Sequence, residues 1–378
     1  MLVGFRAMLE WCSPLTSLSA DCVTDSAPNR RDFLTGQAFR SEIERRGGAL
    51  ADAIAAAEPP GRGPTLLLRT AAMATDFDIL LNPNGPADQV AAASDALELV
   101  HGLEQQLTNY RDDSELMLLN RRAASGPIPV ATNLFDLLQR AVSISLGTEG
   151  AFDPASGALI RLWRGCRREG RLPTPAELSS ALERTGCRHV ILDAGTQTVR
   201  YDRDGVEFHL GAIGKGYAVD GLAEALISRG LTDWLVHGGK SSVRVSGTHA
   251  GHDGWPIGLQ NPLLPDRPLL TLLLKDAALS TSGTAVQWFR VGDKRYGHVL
   301  DPRTGWPVET MLSVSVIAPD AALADALSTA FFVLGVENAL GCCDNFPEVG
   351  AILVPFPADG RTVQPILHRI PGDRVFWR

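Results

Sequence analysis

An apolar segment near the end of the chain, ADALSTAFFVLG from Ala324 to Gly335, constrains the fold more than any other feature. Its polar members are Asp325, Ser328 and Thr329. If the segment is a helix, the i, i+4 spacing places Asp325 and Thr329 on one face. A carboxylate and a hydroxyl there are hard oxygen ligands of the kind that Mg²⁺ accepts beside a phosphate. The alternative is an aspartate that accepts hydrogen bonds inside a core.

Length and composition exclude several classes of protein. With 378 residues, the chain has room for two domains or for one large domain with an appendage. It is 45% hydrophobic and 21% charged, as is ordinary for a globular protein. The net charge of -8, without a long basic run, argues against nucleic acid as a partner. We find no apolar segment approaching the roughly 20 residues of a membrane span, so we expect no transmembrane helix.

The N-terminal part gives mixed signals about location. Residues 1–63 are expected to form a leader that ends in the Pro/Gly-rich EPPGRGP, and residues 64–378 to form the functional domain. NRRDFL, from Asn29 to Leu34, resembles a twin-arginine export signal. Charges between Arg40 and Arg46 interrupt the apolar stretch that such a signal needs. A cytoplasmic and an exported location both stay open.

Many short strands, separated in groups by helices, predict an α+β fold with mixed or antiparallel strands. The expected helices span 87–107, 134–146, 173–186 and 217–229, and Asp320 is expected to cap the helix that carries Asp325. The expected strands lie within 65–81, 189–193, 197–202, 206–210, 233–238, 241–247, 255–260, 269–276, 278–282 and 311–319.

A Gly-rich turn, HLGAIGKGYAVD from His209 to Asp220, lies between a predicted strand and a predicted helix. Its glycines allow backbone N–H groups to approach a ligand, and a helix N-terminus favours anions. Lys215 adds a point charge suited to a phosphate. The spacing matches neither the Rossmann fingerprint nor the P-loop, so a simple strand-to-helix turn is the alternative.

The segment RYGHVLDPRTGWPV contains the turn signal DPRTG, with His298 three residues before Asp301. A histidine near neutral pKa is suited to general-base catalysis, and a structural histidine beside a turn is the alternative. TSG, from Thr281 to Gly283, is another small polar turn.

Taken together and in order, these pieces resemble the FAD:protein FMN transferase family, also called the ApbE family. The resemblance covers about residues 65–355. The matching motifs are MAT at 73–75, NYRDDSELMLLN at 109–120, GAFDP at 150–154, LGAIGKGYAVD at 210–220, GGKSSV at 238–243, TSG at 281–283, HVLDPRTG at 298–305 and APDAALADALSTA at 318–330.

The resemblance implies a T-fold-like α+β architecture with FAD in a central cleft. It implies Mg²⁺-dependent transfer of FMN from FAD to a Thr or Ser hydroxyl of an acceptor flavoprotein that carries a flavinylation motif, with release of AMP. Acceptors of this family are often membrane redox subunits, so membrane association would come through the acceptor. A non-catalytic FAD-binding protein and an FAD pyrophosphatase that releases FMN and AMP are the alternatives.

The resemblance also assigns roles to residues. The metal ligands would be the Ala212 carbonyl, Asp325 and Thr329. His298 would take the proton from the attacking hydroxyl, with Asp301 nearby as the residue that orients it or as its partner. The residues expected to hold the nucleotide are Met73, Tyr110, Ala151, Phe152, Asp153, His209, Lys215 and Thr281, with Lys215 at the phosphates and Tyr110 stacking on the ring system.

Three positions depart from the pattern of the family. His209 stands where an aspartate is usual, and imidazole is at best half an acceptor whereas a carboxylate only accepts. GGKSSV lacks the acidic residue that many members have after the Gly-Gly pair, and we interpret it as one branch of the family. Ala74 stands where glycine is usual.

Overall fold

The computed structural model describes residues 59–377 except 62, 265, 285–287, 358, 359 and 361. The expected leader, NRRDFL included, lies outside these residues apart from its last few positions. The described residues thus belong almost entirely to the part of the chain that was expected to form the functional domain.

An antiparallel sheet of eight strands forms the centre, in the order β1-β2-β6-β7-β10-β13-β14-β15. Its strands are β1 (Leu66–Ala72), β2 (Thr75–Leu81), β6 (Trp234–Gly238), β7 (Ser242–Ser246), β10 (Ala277–Gly283), β13 (Met311–Ala318), β14 (Gly350–Pro355) and β15 (Ile366–His368). Smaller sheets are formed by β3 (Ile128–Pro129), β4 (Val190–Asp193) and β5 (Thr198–Tyr201), by β8 (Trp255–Gln260), β9 (Pro268–Leu274) and β16 (Val375–Trp377), and by the hairpin β11 (Trp288–Val291) and β12 (Lys294–Gly297).

The described helices are α1 (Gln89–Leu107), α2 (Glu115–Arg122), α3 (Thr132–Gly147), α4 (Gly157–Glu169), α5 (Pro175–Leu182), α6 (Gly214–Ser228) and α7 (Ala321–Cys342). Helices α1, α6 and α7 cover one face of the main sheet, with α7 against β10 and β13. The other face packs on the sheet of β8, β9 and β16. Alternation along β2 explains the two cores, because Phe77 and Ile79 belong to the helix-side core while Leu80 contacts the second. This arrangement confirms the expected α+β class.

Helix α7 carries the apolar segment Ala324–Gly335. Asp320 caps the helix as expected, since its side chain accepts a hydrogen bond from the Leu323 amide at 2.9 Å. Gly335 interrupts it with a left-handed φ of 73°. Residues 321–345 are long and apolar enough to cross a membrane by length and composition, so the expectation that no segment approaches that length is wrong. Slightly more than half of its most apolar window, 56%, is buried, and a core helix has the same composition.

Several elements differ from the predicted ones. Residues 206–210 form no strand, because the amide of Asn120 both donates to and accepts from the Phe208 backbone in place of a neighbouring strand. Helix α6 begins at Gly214 rather than Tyr217. Helices α2 and α4 and the β11–β12 hairpin were not predicted. Helix α2 and the two strands of the hairpin are short, with eight and four residues, so they show few repeats of their period. Helix α4 is longer, and its buried Leu159, Trp163 and Cys166 follow helical spacing, so its sequence contained a signal that the prediction missed.

Candidate active site

Asp325 lies on the buried face of α7, where only 4% of its surface is exposed. Its Oδ1 accepts hydrogen bonds from the hydroxyls of Ser242, at 2.6 Å, and of Ser280. Its Oδ2 accepts the Gly216 amide at 2.7 Å and lies 3.7 Å from Lys215 Nζ. We call these five residues the Asp325 cluster. Three hydrogen-bond donors and a nearby ammonium group thus hold the buried carboxylate in a fixed orientation.

Ser242 and Ser280 were missing from the predicted site. They are directly opposite each other in the β7–β10 register, so both side chains project from the same face of the sheet towards α7. A signal was present in the sequence, since each is a hydroxyl residue in a mainly apolar strand and lies in or beside a singled-out motif. Only the register of the two strands reveals that the residues meet.

Thr329 lies one turn after Asp325, and its neighbourhood is rich in hydroxyls. Ser282 Oγ is 3.2 Å from Thr329 Oγ1 and 2.9 Å from Ser328 Oγ. Alternation along β10 turns the intervening Thr281 to the opposite face, where its hydroxyl contacts Ser315 at 2.7 Å. The structure therefore brings Ser280 and Ser282 to α7, and a nucleotide contact through Thr281 stays a prediction.

Gly216 explains how the N-terminus of α6 reaches α7. A Cβ atom at this position would lie 2.1 Å from the Ala321 carbonyl oxygen and 2.8 Å from Ala322 Cα. Glycine alone therefore permits an approach at which the first turn of α6 donates to Asp325. The half-buried Ala212, a predicted backbone ligand, lies in the turn that enters this helix.

Asp220, one turn further along α6, ties the same two helices together. Its carboxylate accepts the amides of Ala321 and Ala322 at 2.9 and 2.8 Å and contacts Arg244 Nη1 at 3.0 Å. Burial raises the pKa of Asp220 to about 6, although these hydrogen bonds act in the opposite direction. The start of α7, and with it Asp325, is thus held by a second carboxylate.

A second group, which we call the Tyr110 cluster, consists of Tyr110, Arg164 and His209. Arg164 Nη2 donates to the Tyr110 phenol oxygen at 2.5 Å and lies 3.3 Å from His209 Nε2. The guanidinium carbon is 4.9 Å from the centre of the Tyr110 ring, and that residue is 78% exposed. Arg164 was not predicted as a site residue because its helix, α4, was not predicted.

Burial, and secondly the charge of Arg164, lower the pKa of His209 to about 4. The imidazole is therefore neutral at physiological pH, where an aspartate would be negatively charged. At this position the chain replaces a charged acceptor with a neutral ring beside a cation.

The Ala151–Asp153 segment lies at the end of the loop after α3. Ala151 and Phe152 are buried in the helix-side core. Asp153 accepts the amides of Ala155 at 2.9 Å and Cys187 at 3.1 Å, and burial raises its pKa. These contacts give Asp153 a role in shaping the loop, and a contact of the segment with flavin stays a prediction.

Met73 and Ala74 form the two-residue turn between β1 and β2, and both have left-handed φ values, of 51° and 59°. The Met73 amide donates to Glu104 Oε1 at 2.7 Å, which fixes the turn to α1. Because a left-handed conformation costs an L-residue about 1–2 kcal/mol, the substitution of the usual glycine by Ala74 carries a backbone cost.

His298 is exposed and directly follows β12. Asp301 accepts three hydrogen bonds of 2.9 Å from Arg303, one from its amide and two from its guanidinium. Trp163 Nε1 donates to the Gly305 carbonyl at 2.7 Å, so α4 fixes this turn. The next residue of the same helix, Arg164, contacts Tyr110. The role of Asp301 as a partner of His298 stays a prediction.

The oxygen atoms around Asp325 suit a hard cation. Within the described ranges, no three His, Cys, Asp or Glu side chains form a metal-binding group. A carboxylate, a hydroxyl and a carbonyl are nevertheless oxygen ligands of the kind that Mg²⁺ uses together with substrate phosphates, so a metal site of Asp325, Thr329 and Ala212 stays a prediction.

Comparisons with known proteins identify the family of the chain. The profile of the ApbE family matches residues 73–353. An FAD:protein FMN transferase from Treponema pallidum is 36% identical over 287 residues, which cover 72% of this chain and 79% of the relative. One from Salmonella typhimurium is 35% identical over 240 residues, covering 62% and 68%. The chain belongs to the ApbE family.

Solved structures extend the similarity to the fold. The flavin transferase ApbE from Vibrio cholerae superposes with a TM-score of 0.71 at 28% identity, covering 81% of this chain and 97% of that structure. The ApbE protein from Thermotoga maritima also gives 0.71, at 29% identity, covering 80% and 96%. The expected family architecture is thereby confirmed.

Proposed function

We propose that the protein transfers FMN from FAD to a Thr or Ser hydroxyl of an acceptor flavoprotein and releases AMP. The observation that carries the proposal is the convergence of Lys215, Gly216 and Asp325 at the N-terminus of α6. Membership of the ApbE family and the names of the relatives support it. A helix N-terminus and a lysine attract the diphosphate, and a buried carboxylate beside them suits a cation that screens it.

Mg²⁺ would be held by Asp325, Thr329 and the Ala212 carbonyl. When bound, it would neutralise negative charge on the phosphates and act as a Lewis acid. Lys215 faces the same phosphates as a point charge. The hydroxyls of Ser242 and Ser280 keep the Asp325 carboxylate oriented, so that the one lone pair left on Oδ2 points in a fixed direction.

His298 accepts the proton of the attacking hydroxyl. In the reaction, a bond forms between the acceptor oxygen and the phosphorus of the FMN half, and the phosphorus–oxygen bond of the diphosphate bridge breaks. AMP leaves with the bridging oxygen, and the acceptor proton passes to His298. General-base help of this kind is worth about 10²–10⁴ in rate.

The test is incubation of the purified protein with FAD, Mg²⁺ and an acceptor peptide that contains a threonine. We expect AMP release together with covalent flavin on the peptide, in equal amounts. Free FMN and AMP without peptide labelling would identify a pyrophosphatase, and bound FAD without turnover would identify a binding protein; either result rejects the proposal.

A further inference from the structure

Arg164 is charged, close to two predicted nucleotide contacts, and unassigned by any motif of the chain. Two other arginines near it on the chain have carboxylate partners, since Arg161 pairs with Glu207 and Arg171 with Glu177. The ion pairs found between described residues include none to Arg164, whose Nη2 contacts Tyr110 and His209 instead. A cation is thus directed into the Tyr110 cluster without being neutralised there.

More hydrogen-bond donors point at the His209 ring than the ring can accept. The Gly211 amide points at Nδ1 from 3.3 Å, and Arg164 Nη2 lies 3.3 Å from Nε2. A neutral imidazole has one accepting nitrogen and a protonated imidazole has none. In every protonation state, therefore, at least one of these donors faces another N–H. The cluster has one donor too many, and a ligand atom that accepts a hydrogen bond would satisfy it.

The exposed ring of Tyr110 supplies the other half of a subsite. It offers an aromatic surface on which a planar ring can stack, with the guanidinium of Arg164 beside it. We propose that Arg164, together with the N–H of His209, binds an acceptor atom at the edge of the heteroaromatic ring that stacks on Tyr110. That atom is a carbonyl oxygen or ring nitrogen of the flavin or of the adenine of FAD.

This inference rests on the proposed function, since it takes FAD as the ligand. It gives a functional reason for a histidine, rather than an aspartate, at position 209. A carboxylate at that position only accepts hydrogen bonds, whereas the pair of Arg164 and His209 donates them. At one edge of the nucleotide ring, the chain therefore donates hydrogen bonds where an aspartate would accept them.

Fluorescence titration with FAD tests the proposal directly. We expect Arg164→Gln to raise the Kd for FAD about tenfold, as loss of a charged hydrogen bond does. Arg168→Gln removes the same charge from an exposed position one turn later on α4, and we expect its Kd to stay within twofold of wild type. Parallel titrations with FMN and with ADP identify which ring Arg164 contacts. Unchanged Kd values of Arg164→Gln for all three ligands would overturn the proposal.

Testing Arg164→Gln in a Tyr110→Phe protein distinguishes a direct contact of Arg164 with the ligand from a purely structural role through Tyr110. Tyr110→Phe keeps the ring and removes the oxygen to which Arg164 donates. If Arg164 touches the ligand, Arg164→Gln still raises the Kd about tenfold in the Tyr110→Phe protein. Loss of that effect would show that Arg164 only positions Tyr110, and would reject the inference.

Transfer is assayed separately, so the two proposals fail in different ways. A wild-type protein that transfers FMN while Arg164→Gln binds FAD normally rejects the Arg164 subsite alone. A wild-type protein that binds FAD tightly without transfer, with weakened binding in Arg164→Gln, rejects the transferase alone. Absence of FAD binding by the wild-type protein rejects both.

Discussion

The carboxylate of Asp325 and the guanidinium of Arg164 are both charged groups of the candidate site, but they are held in opposite ways. Asp325 is 4% exposed and is bound by donors from two strands and a helix, each of which is part of the central core. Arg164 lies on the surface and contacts a tyrosine that is 78% exposed. The core of the fold fixes Asp325, whereas a single substitution, such as the histidine at position 209, changes the surroundings of Arg164.

From this contrast we propose that the Asp325 cluster serves the chemistry and the Tyr110 cluster serves recognition. Groups that stabilise charge during a reaction must be oriented before it begins, and burial provides that orientation. Groups that contact the edge of a ring contribute to affinity and to the choice of ligand. Substitutions in the two clusters are therefore expected to separate effects on turnover from effects on binding.

The largest effect is expected for Asp325→Asn, which keeps the shape and removes the charge. We expect FMN transfer to fall by at least about 10³, because the buried anion that suits the cation is lost. The measurement is the initial rate of AMP release at saturating FAD. Asp320→Asn is the matched control on the same helix, since asparagine caps a helix about as well as aspartate. Comparable rates for Asp325→Asn and Asp320→Asn would contradict the assignment.

A somewhat smaller effect is expected for His298→Gln. We expect transfer to slow about 10²-fold or more, while the Kd for FAD stays within twofold, because proton transfer and not binding is removed. Rates and FAD titrations measured on the same preparation provide the comparison. Equal losses in rate and affinity would argue for a binding role of His298.

Gly216→Ala tests the close approach of the two helices. A Cβ there overlaps the Ala321 backbone, so we expect a loss of about 3 kcal/mol in the free energy of unfolding. Gly221→Ala, on the same helix, is the control: its Cβ would lie 3.5 Å from Leu103 Cδ1, an ordinary contact. That variant should be neutral or more stable by up to about 1 kcal/mol in urea unfolding. Equal stabilities of the two variants would refute the packing argument.

The smallest effect concerns pH and His209. Its folded pKa of about 4 lies below the usual 6.5, so the unfolded state binds a proton first as pH falls. The corresponding stability is present above pH 6.5 and is lost between pH 6.5 and 4, amounting to about 1–2 kcal/mol at pH 5. Urea unfolding of wild type and His209→Asn at pH 7.5 and 5 should show a steeper loss for wild type. Parallel losses would mean that His209 titrates normally.

The difference between the two clusters also explains which features could be predicted from the sequence. Most strands, the cap at Asp320 and the helical spacing of Asp325 and Thr329 follow from local patterns of apolar and polar residues. The meeting of Ser242 with Ser280 depends on the register of strands that are far apart in the chain, which no local pattern encodes. Arg164 escaped prediction because a surface arginine on an unpredicted helix carries no local signal of its contacts.

The role of the Asp325 cluster in FMN transfer is best decided by mass spectrometry of a threonine-containing acceptor after incubation with FAD, Mg²⁺ and either wild type or Asp325→Asn. We predict that wild type adds one FMN to the threonine and releases one AMP, and that the acceptor stays unlabelled with the variant. Equal labelling by both proteins, or free FMN from wild type with an unlabelled acceptor, would contradict this role.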